Sequence, residues 1–148
     1  MEQKEKNKPS LLLLITFWAQ VGIFAVMMGP IIIPSFSQYL GSYFLIIMGS
    51  ILLLGTILIF LTWKEKIKRA LKKFLMLTGA SAAGFVISVL LHNFFYALNT
   101  ITGHITVLKY LTGGLHIMFF FLSIPIFPLV FLVGTLGSIL YLFSKEKK

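Results

Sequence analysis

Read for its apolar and polar positions, the chain falls into four long apolar runs separated by short polar or basic stretches. A bilayer hydrocarbon core about 30 Å thick needs about 20 residues of helix, and each run meets that length. The pattern predicts spans over about 11–33, 43–63, 74–98 and 117–143, with tails at 1–10 and 144–148, in a single membrane domain covering 1–148. The expected fold is all-α: a polytopic up-down bundle of four transmembrane helices. Lys and Arg are missing from all four runs, as expected where a charge at the bilayer centre costs at least about 2.5–3.5 kcal/mol.

The punctuation between the runs refines this picture. Ser10, after Lys8 and Pro9, has the chemistry of an N-cap for the first span. The basic residues ahead of that span resemble the start of a signal peptide. Its apolar stretch is longer than such peptides use and no clean cleavage site follows, so a retained anchor is expected. The connection Pro34–Gly41 is short and uncharged. The stretch from Lys64 to Lys73 is expected as helical extension plus a turn, with Glu65 three and four residues from Lys68 and Arg69. The longest connection is expected at about 99–116. There Gly103, Gly113 and Gly114 bracket a piece too short to span, read as an interfacial helical turn or a short strand. Pro125 and Pro128 predict a kink near Phe121 to Ile124 in the fourth span, and Pro30 a bend or end to the first.

Composition decides the solvent. Of 148 residues, 58% are hydrophobic and 11% charged, with a mean hydropathy of +0.97. A chain this small cannot hide so much apolar surface from water. Cysteine and aspartate are both absent, and the four acids, Glu2, Glu5, Glu65 and Glu146, lie outside the spans. That removes disulfide exchange, thiolate metal sites and proton coupling through a membrane-embedded carboxylate. The net charge of +9 flanks apolar segments, so anionic lipid headgroups are the expected partner and nucleic acid is not.

The same charges set an orientation. Lys4, Lys6 and Lys8 precede the first span, Lys64, Lys66, Lys68, Arg69, Lys72 and Lys73 join the second to the third, and Lys145, Lys147 and Lys148 end the chain. Those segments share one side of a four-span protein, and only Lys109 lies opposite. The positive-inside rule then places both termini in the cytoplasm, in the plasma (inner) membrane of a prokaryote. The aromatic rings Tyr39, Tyr43, Tyr96, Tyr110, Trp63 and Tyr141 fall near the boundaries.

Helices in lipid associate through close approach of small residues and through interhelical hydrogen bonds. The third span carries Gly79, Ala80, Ala83 and Gly84 in overlapping small-xxx-small pairs, and the fourth carries Gly134 and Ser138. These are the expected packing residues, within the bundle or in a homo-oligomer. A polar stripe runs along the third span through Thr78, Ser81, Ser88, His92 and Asn99, with Asn93 beside it. Gln20, midway along the first span, is the other deep polar group.

His92, His104 and His116 all fall toward the outer face. Neutral imidazoles bind zinc or copper, and two facing ones can hold a haem, but no acid is at hand to support such a site. No nucleophile motif, phosphate-binding loop or acidic pair is visible. The expected function is therefore that of a non-enzymatic accessory, assembly or regulatory component, needing no cofactor and acting through helix contacts in an oligomer or a larger membrane complex. Two other readings stand beside it: an oligomeric channel or transporter using the third-span stripe, and haem or divalent-metal binding by the outer-face histidines.

Overall fold

The computed structural model describes residues 8–33 and 41–144. It is a four-helix membrane bundle, and no strand occurs among the described residues. Helix α1 covers Leu11–Ile32. A single 3₁₀ turn, Gly41–Tyr43, leads into α2, Phe44–Lys64. Helix α3 covers Arg69–Ile101. The fourth span is one long rod from Thr106 to Phe143, built from α4 (Thr106–Phe121), a π-turn (Leu122–Ile126) and α5 (Phe127–Phe143). Successive spans run in opposite directions, which puts both ends of the described chain beside the loop between α2 and α3. We call this the basic end and the turn between α3 and α4 the far end.

The start of α1 is held at the basic end by the neighbouring loop. Ser10 Oγ accepts the Leu13 N–H at 3.2 Å, as an N-cap should. The Glu65 carboxylate in turn accepts the Ser10 N–H at 3.1 Å and the Ser10 hydroxyl. A carboxylate at this position also meets the positive end of the helix dipole. Lys72 Nζ closes the same loop from α3, donating to the carbonyls of Trp63 at 2.7 Å and Glu65 at 3.3 Å. The stretch 64–73 is helical extension plus a turn, as expected, but the expected pairing of Glu65 with Lys68 and Arg69 is corrected. The chain leaves helical geometry after Lys64 and resumes at Arg69, and Glu65 serves α1 instead of pairing along its own helix.

Two boundaries differ from the pattern reading. Helix α3 is 33 residues long, beginning before residue 74 and ending after residue 98. The long connection at 99–116 shrinks to Thr102–Ile105, and the piece expected as a turn or strand forms the opening turns of α4. Glycine marks turns in water but is common within membrane helices. Gly113 sits against the Asn99 side chain of α3, where a Cβ would make ordinary contact at 3.6 Å from Oδ1. The connection Pro34–Gly41 lies outside the described residues, apart from Gly41.

Proline acts where expected in the fourth span. Pro125 has no N–H to offer the preceding turn, and the helix widens there: the Phe127 N–H reaches back five residues to the Leu122 carbonyl. Pro30 lies inside α1, which ends two residues later.

Helix α3 is the hub. It packs along α2 on one side and along α4 and α5 on the other, while α1 lies mainly against α2. Two apolar clusters fill the interior. Toward the basic end Leu13, Phe17, Leu58, Ile67, Leu71 and Leu75 meet. Toward the far end Phe24 stacks on Phe131 at 3.9 Å and meets Phe85 edge-on, with Met48, Ile51, Ala82 and Val86 around them. Large apolar side chains such as Leu45, Leu53, Leu132, Leu136 and Leu140 point outward, as lipid requires.

Candidate functional site

The α3 stripe divides into two halves with different chemistry. In the half nearer the basic end the hydroxyls are used by their own helix. Thr78 Oγ1 donates to the Phe74 carbonyl at 3.0 Å, and Ser81 Oγ reaches the carbonyls of Leu77 at 2.7 Å and Thr78 at 3.1 Å. Ser88 is buried further along. In the far half the stripe joins two helices. His92 Nδ1 donates to the His116 carbonyl at 3.1 Å, and the Asn99 side-chain amide lies 3.0 Å from the Thr112 hydroxyl, which also donates to the Leu108 carbonyl of its own helix at 2.7 Å. Asn93 stays out of the seam, donating to the Val89 carbonyl of its own turn at 2.8 Å on the exposed side.

The structure brings His92 and His116 together and leaves His104 apart. The two rings stack with centroids 4.4 Å apart and planes 27° from parallel. Tyr96 lies 5.2 Å from the His116 ring and Phe120 5.5 Å from the His92 ring. Because a carbonyl only accepts, Nδ1 of His92 carries a proton, and the lone pair of the neutral ring sits on Nε2. Ring-nitrogen lone pairs lie in the ring plane, so near-parallel stacked rings do not converge them on one ion. His104 is exposed in the connecting turn, about 15 Å along α4 from His116 at 1.5 Å per residue. Among the described residues no three His, Cys, Asp or Glu side chains gather where a metal ion would need them.

Gln20 is 0% exposed, and neither its amide oxygen nor its nitrogen finds a partner among the described residues. The Thr62 and Thr135 hydroxyls are buried in the same condition. Gln20 lies one turn before Phe24 and Thr135 one turn after Phe131. The Phe24–Phe131 stack therefore places Gln20 and Thr135 at one level of two antiparallel helices. A buried amide without a hydrogen bond costs about 1–3 kcal/mol.

The small residues close the same region. Gly55 of α2 and Gly79 of α3 meet backbone to backbone. A Cβ on Gly55 would stand 2.9 Å from the Gly79 carbonyl oxygen, and one on Gly79 would stand 2.8 Å from that of Gly55. Ala83 lies beside this crossing. Gly84 receives the Phe127 ring, and Gly134 receives Thr78. Ser138 Oγ bonds back to the Gly134 carbonyl at 2.8 Å. Ala80 faces outward and is exposed. Gly137, the other small residue of the fourth span, lies directly on the Phe74 ring.

One feature had no signal in the hydropathy pattern. Where α1, α2, α3 and the π-turn diverge toward the far end, an apolar cleft of about 500 Å³ opens at the surface of the bundle. Only the proline positions foreshadow it.

Sequence and structure comparisons add no relative. No family model, curated protein or solved structure matches the chain.

Proposed function

We propose that this multi-pass membrane protein is a non-enzymatic accessory or assembly component that works through its helix contacts. The observation that carries the reading is how the α3 stripe is used. Thr78 and Ser81 are held by their own helix, and His92 and Asn99 join α3 to α4. Substrate paths in membranes are marked by polar or ionisable groups that face a water-filled cavity, whereas these groups are spent inside the bundle. The setting that agrees with the basic residues is a prokaryotic plasma membrane with both termini in the cytoplasm. There Lys64, Lys66, Lys68, Arg69 and Lys73 lie at the headgroups of anionic lipids, each worth about 1 kcal/mol near such a surface. Of the basic residues in that loop, Lys72 alone is drawn into carbonyl contacts.

A second reading, an oligomeric conduit for a polar solute, draws support from Gln20 and Thr135, which are buried without partners at one level. Reconstitution separates the two. Liposomes loaded with a pH dye or with radiolabelled cations should leak no faster with the protein than without it. A flux that falls on Gln20→Leu or His92→Ala would overturn the accessory reading. Orientation is open to single-cysteine labelling, since the chain has no native cysteine. Ser37→Cys and Thr106→Cys should react with an impermeant thiol reagent in intact cells and Lys66→Cys should not.

A further inference from the structure

The cleft runs from the far half of the hydrocarbon core to the far boundary, where Gly41 and Phe44 open α2. With Phe74 at the basic-end boundary, Phe85 stands about 17 Å and Val89 about 23 Å along α3 at 1.5 Å per residue, between mid-plane and far boundary of a core about 30 Å thick. Its walls are Met27 and Met28 of α1, Phe44 of α2, Phe85 and Val89 of α3, and Ser123 of the π-turn. The floor is continuous with the far-end apolar cluster: Phe85 belongs to it, and Met27, Met28 and Val89 pack against it. Ser123, the one polar side chain in the wall, is 2% exposed and turns its hydroxyl to the Phe120 carbonyl at 3.0 Å. The cleft therefore offers a ligand no polar handle.

Its shape follows from helix irregularity. Pro30 and Pro128 line it with Gly41 and Ile124 of the π-turn. Proline cannot complete a helical ladder, and a π-turn carries an extra residue per turn, so α1 and the fourth span diverge there. Two methionines in the wall add adaptable, polarizable surface.

We propose that the cleft binds one hydrocarbon tail of a membrane lipid. Two observations select that occupant. The mouth opens at a depth where the surrounding medium is lipid tails. The wall is apolar apart from Ser123, whose hydroxyl is bonded to the Phe120 carbonyl, so an interfacial headgroup would find no free side-chain partner in it. The volume falls within the roughly 300–1,000 Å³ of small-ligand pockets. The site adds a ligand to the protein and does not depend on the accessory reading.

The test uses the full chain in vesicles of phosphatidylethanolamine and phosphatidylglycerol that contain a phospholipid with a mid-tail diazirine. After irradiation and peptide mass spectrometry, Met27, Met28 and Val89 should carry several-fold more adduct than the lipid-facing Leu132 and Leu136. Val89→Trp, which projects an indole into the cleft, should lower labelling of Met27 and Met28 several-fold and leave Leu132 and Leu136 unchanged. Equal labelling of cleft and lipid-facing residues in the wild type overturns the proposal, and this comparison stands alone if the Val89→Trp variant does not fold. Persistence of the Met27 and Met28 adducts in a folded Val89→Trp variant overturns it as well. So does efficient disulfide formation between copies of Met28→Cys, which would make a second copy the occupant.

Discussion

Gly79→Ala adds one methyl group at a backbone-to-backbone helix crossing, and its effect can be separated from helix propensity by pairing it with Gly22→Ala. Both glycines are helical and neither has a positive φ. Alanine in place of a helical glycine is worth about 1 kcal/mol by propensity at either site. At Gly22 the new Cβ meets no protein atom within 4 Å, so the propensity gain should appear undiminished. At Gly79 it would stand 2.8 Å from the Gly55 carbonyl oxygen and 2.9 Å from Ile59 Cγ1. Backbone cannot swing aside as a side chain can, so α2 and α3 must separate. Overpacking of that kind costs about 1–3 kcal/mol. The net expectation is a loss of roughly 0–2 kcal/mol for Gly79→Ala, and a gap of about 1–3 kcal/mol between the variants once propensity cancels. Reversible unfolding in mixed micelles, read by tryptophan fluorescence, measures the gap. Gly55→Ala in the Gly79→Ala background should then cost less than it does alone, because the helices have already parted. A Gly79→Ala variant as stable as Gly22→Ala would refute the close crossing.

Three other perturbations address the polar groups. Gln20→Met keeps the side-chain length and removes a buried amide that has no partner, so the bundle should gain about 1–3 kcal/mol; a loss of stability would show that the amide is bonded in the membrane. Glu65→Ala removes the carboxylate that accepts from Ser10, which should cost about 0.3–1 kcal/mol and speed amide hydrogen exchange in the first turn of α1. Unchanged exchange there would count against the contact. Asn99→Leu and Thr112→Val should each cost about 0.6 kcal/mol, a typical hydrogen bond between membrane helices, and the double variant should cost no more than either single one; additive losses would mean the two side chains do not bond.

The number of spans and their antiparallel order were legible because the bilayer imposes one length on every apolar run. The Ser10 cap and the disturbance at Pro125 were also legible, since each depends on the chemistry of a single residue. The helix ends were not. Gly103, Gly113 and Gly114 read as breakers by the rules of water, yet only the first stands in a turn, because α3 supplies a packed surface for the helix that carries the others. Periodicity put His92 and Asn99 on one face, but only the structure shows His116 and Thr112 opposite them. Gln20 was visible as a deep polar group, and its lack of a partner depends on three other helices. The cleft arises from divergence between helices, a property that no single segment encodes.

The four spans differ in length, and a lipid bilayer responds to that difference. Helices α1 and α2, with 22 and 21 residues, are about 32 Å long, whereas α3, with 33, reaches about 50 Å. One flank of the protein thus matches a membrane of ordinary thickness and the other exceeds it. The surplus on the long flank is amphipathic: Tyr96, Ile101, Val107, Tyr110 and Leu111 are exposed there beside Thr100, His104 and Lys109. The apolar part of α3, 74–98, is about 37 Å long, so lipids beside that flank stretch or the long hairpin leans over a few ångström, at a fraction of a kcal/mol per ångström. The mismatch falls on one side only, so the protein has a preferred neighbour before any specific contact forms. Thicker bilayer patches, or other tall proteins, relieve the strain on that side, and membrane thickness becomes a variable to which this small bundle responds.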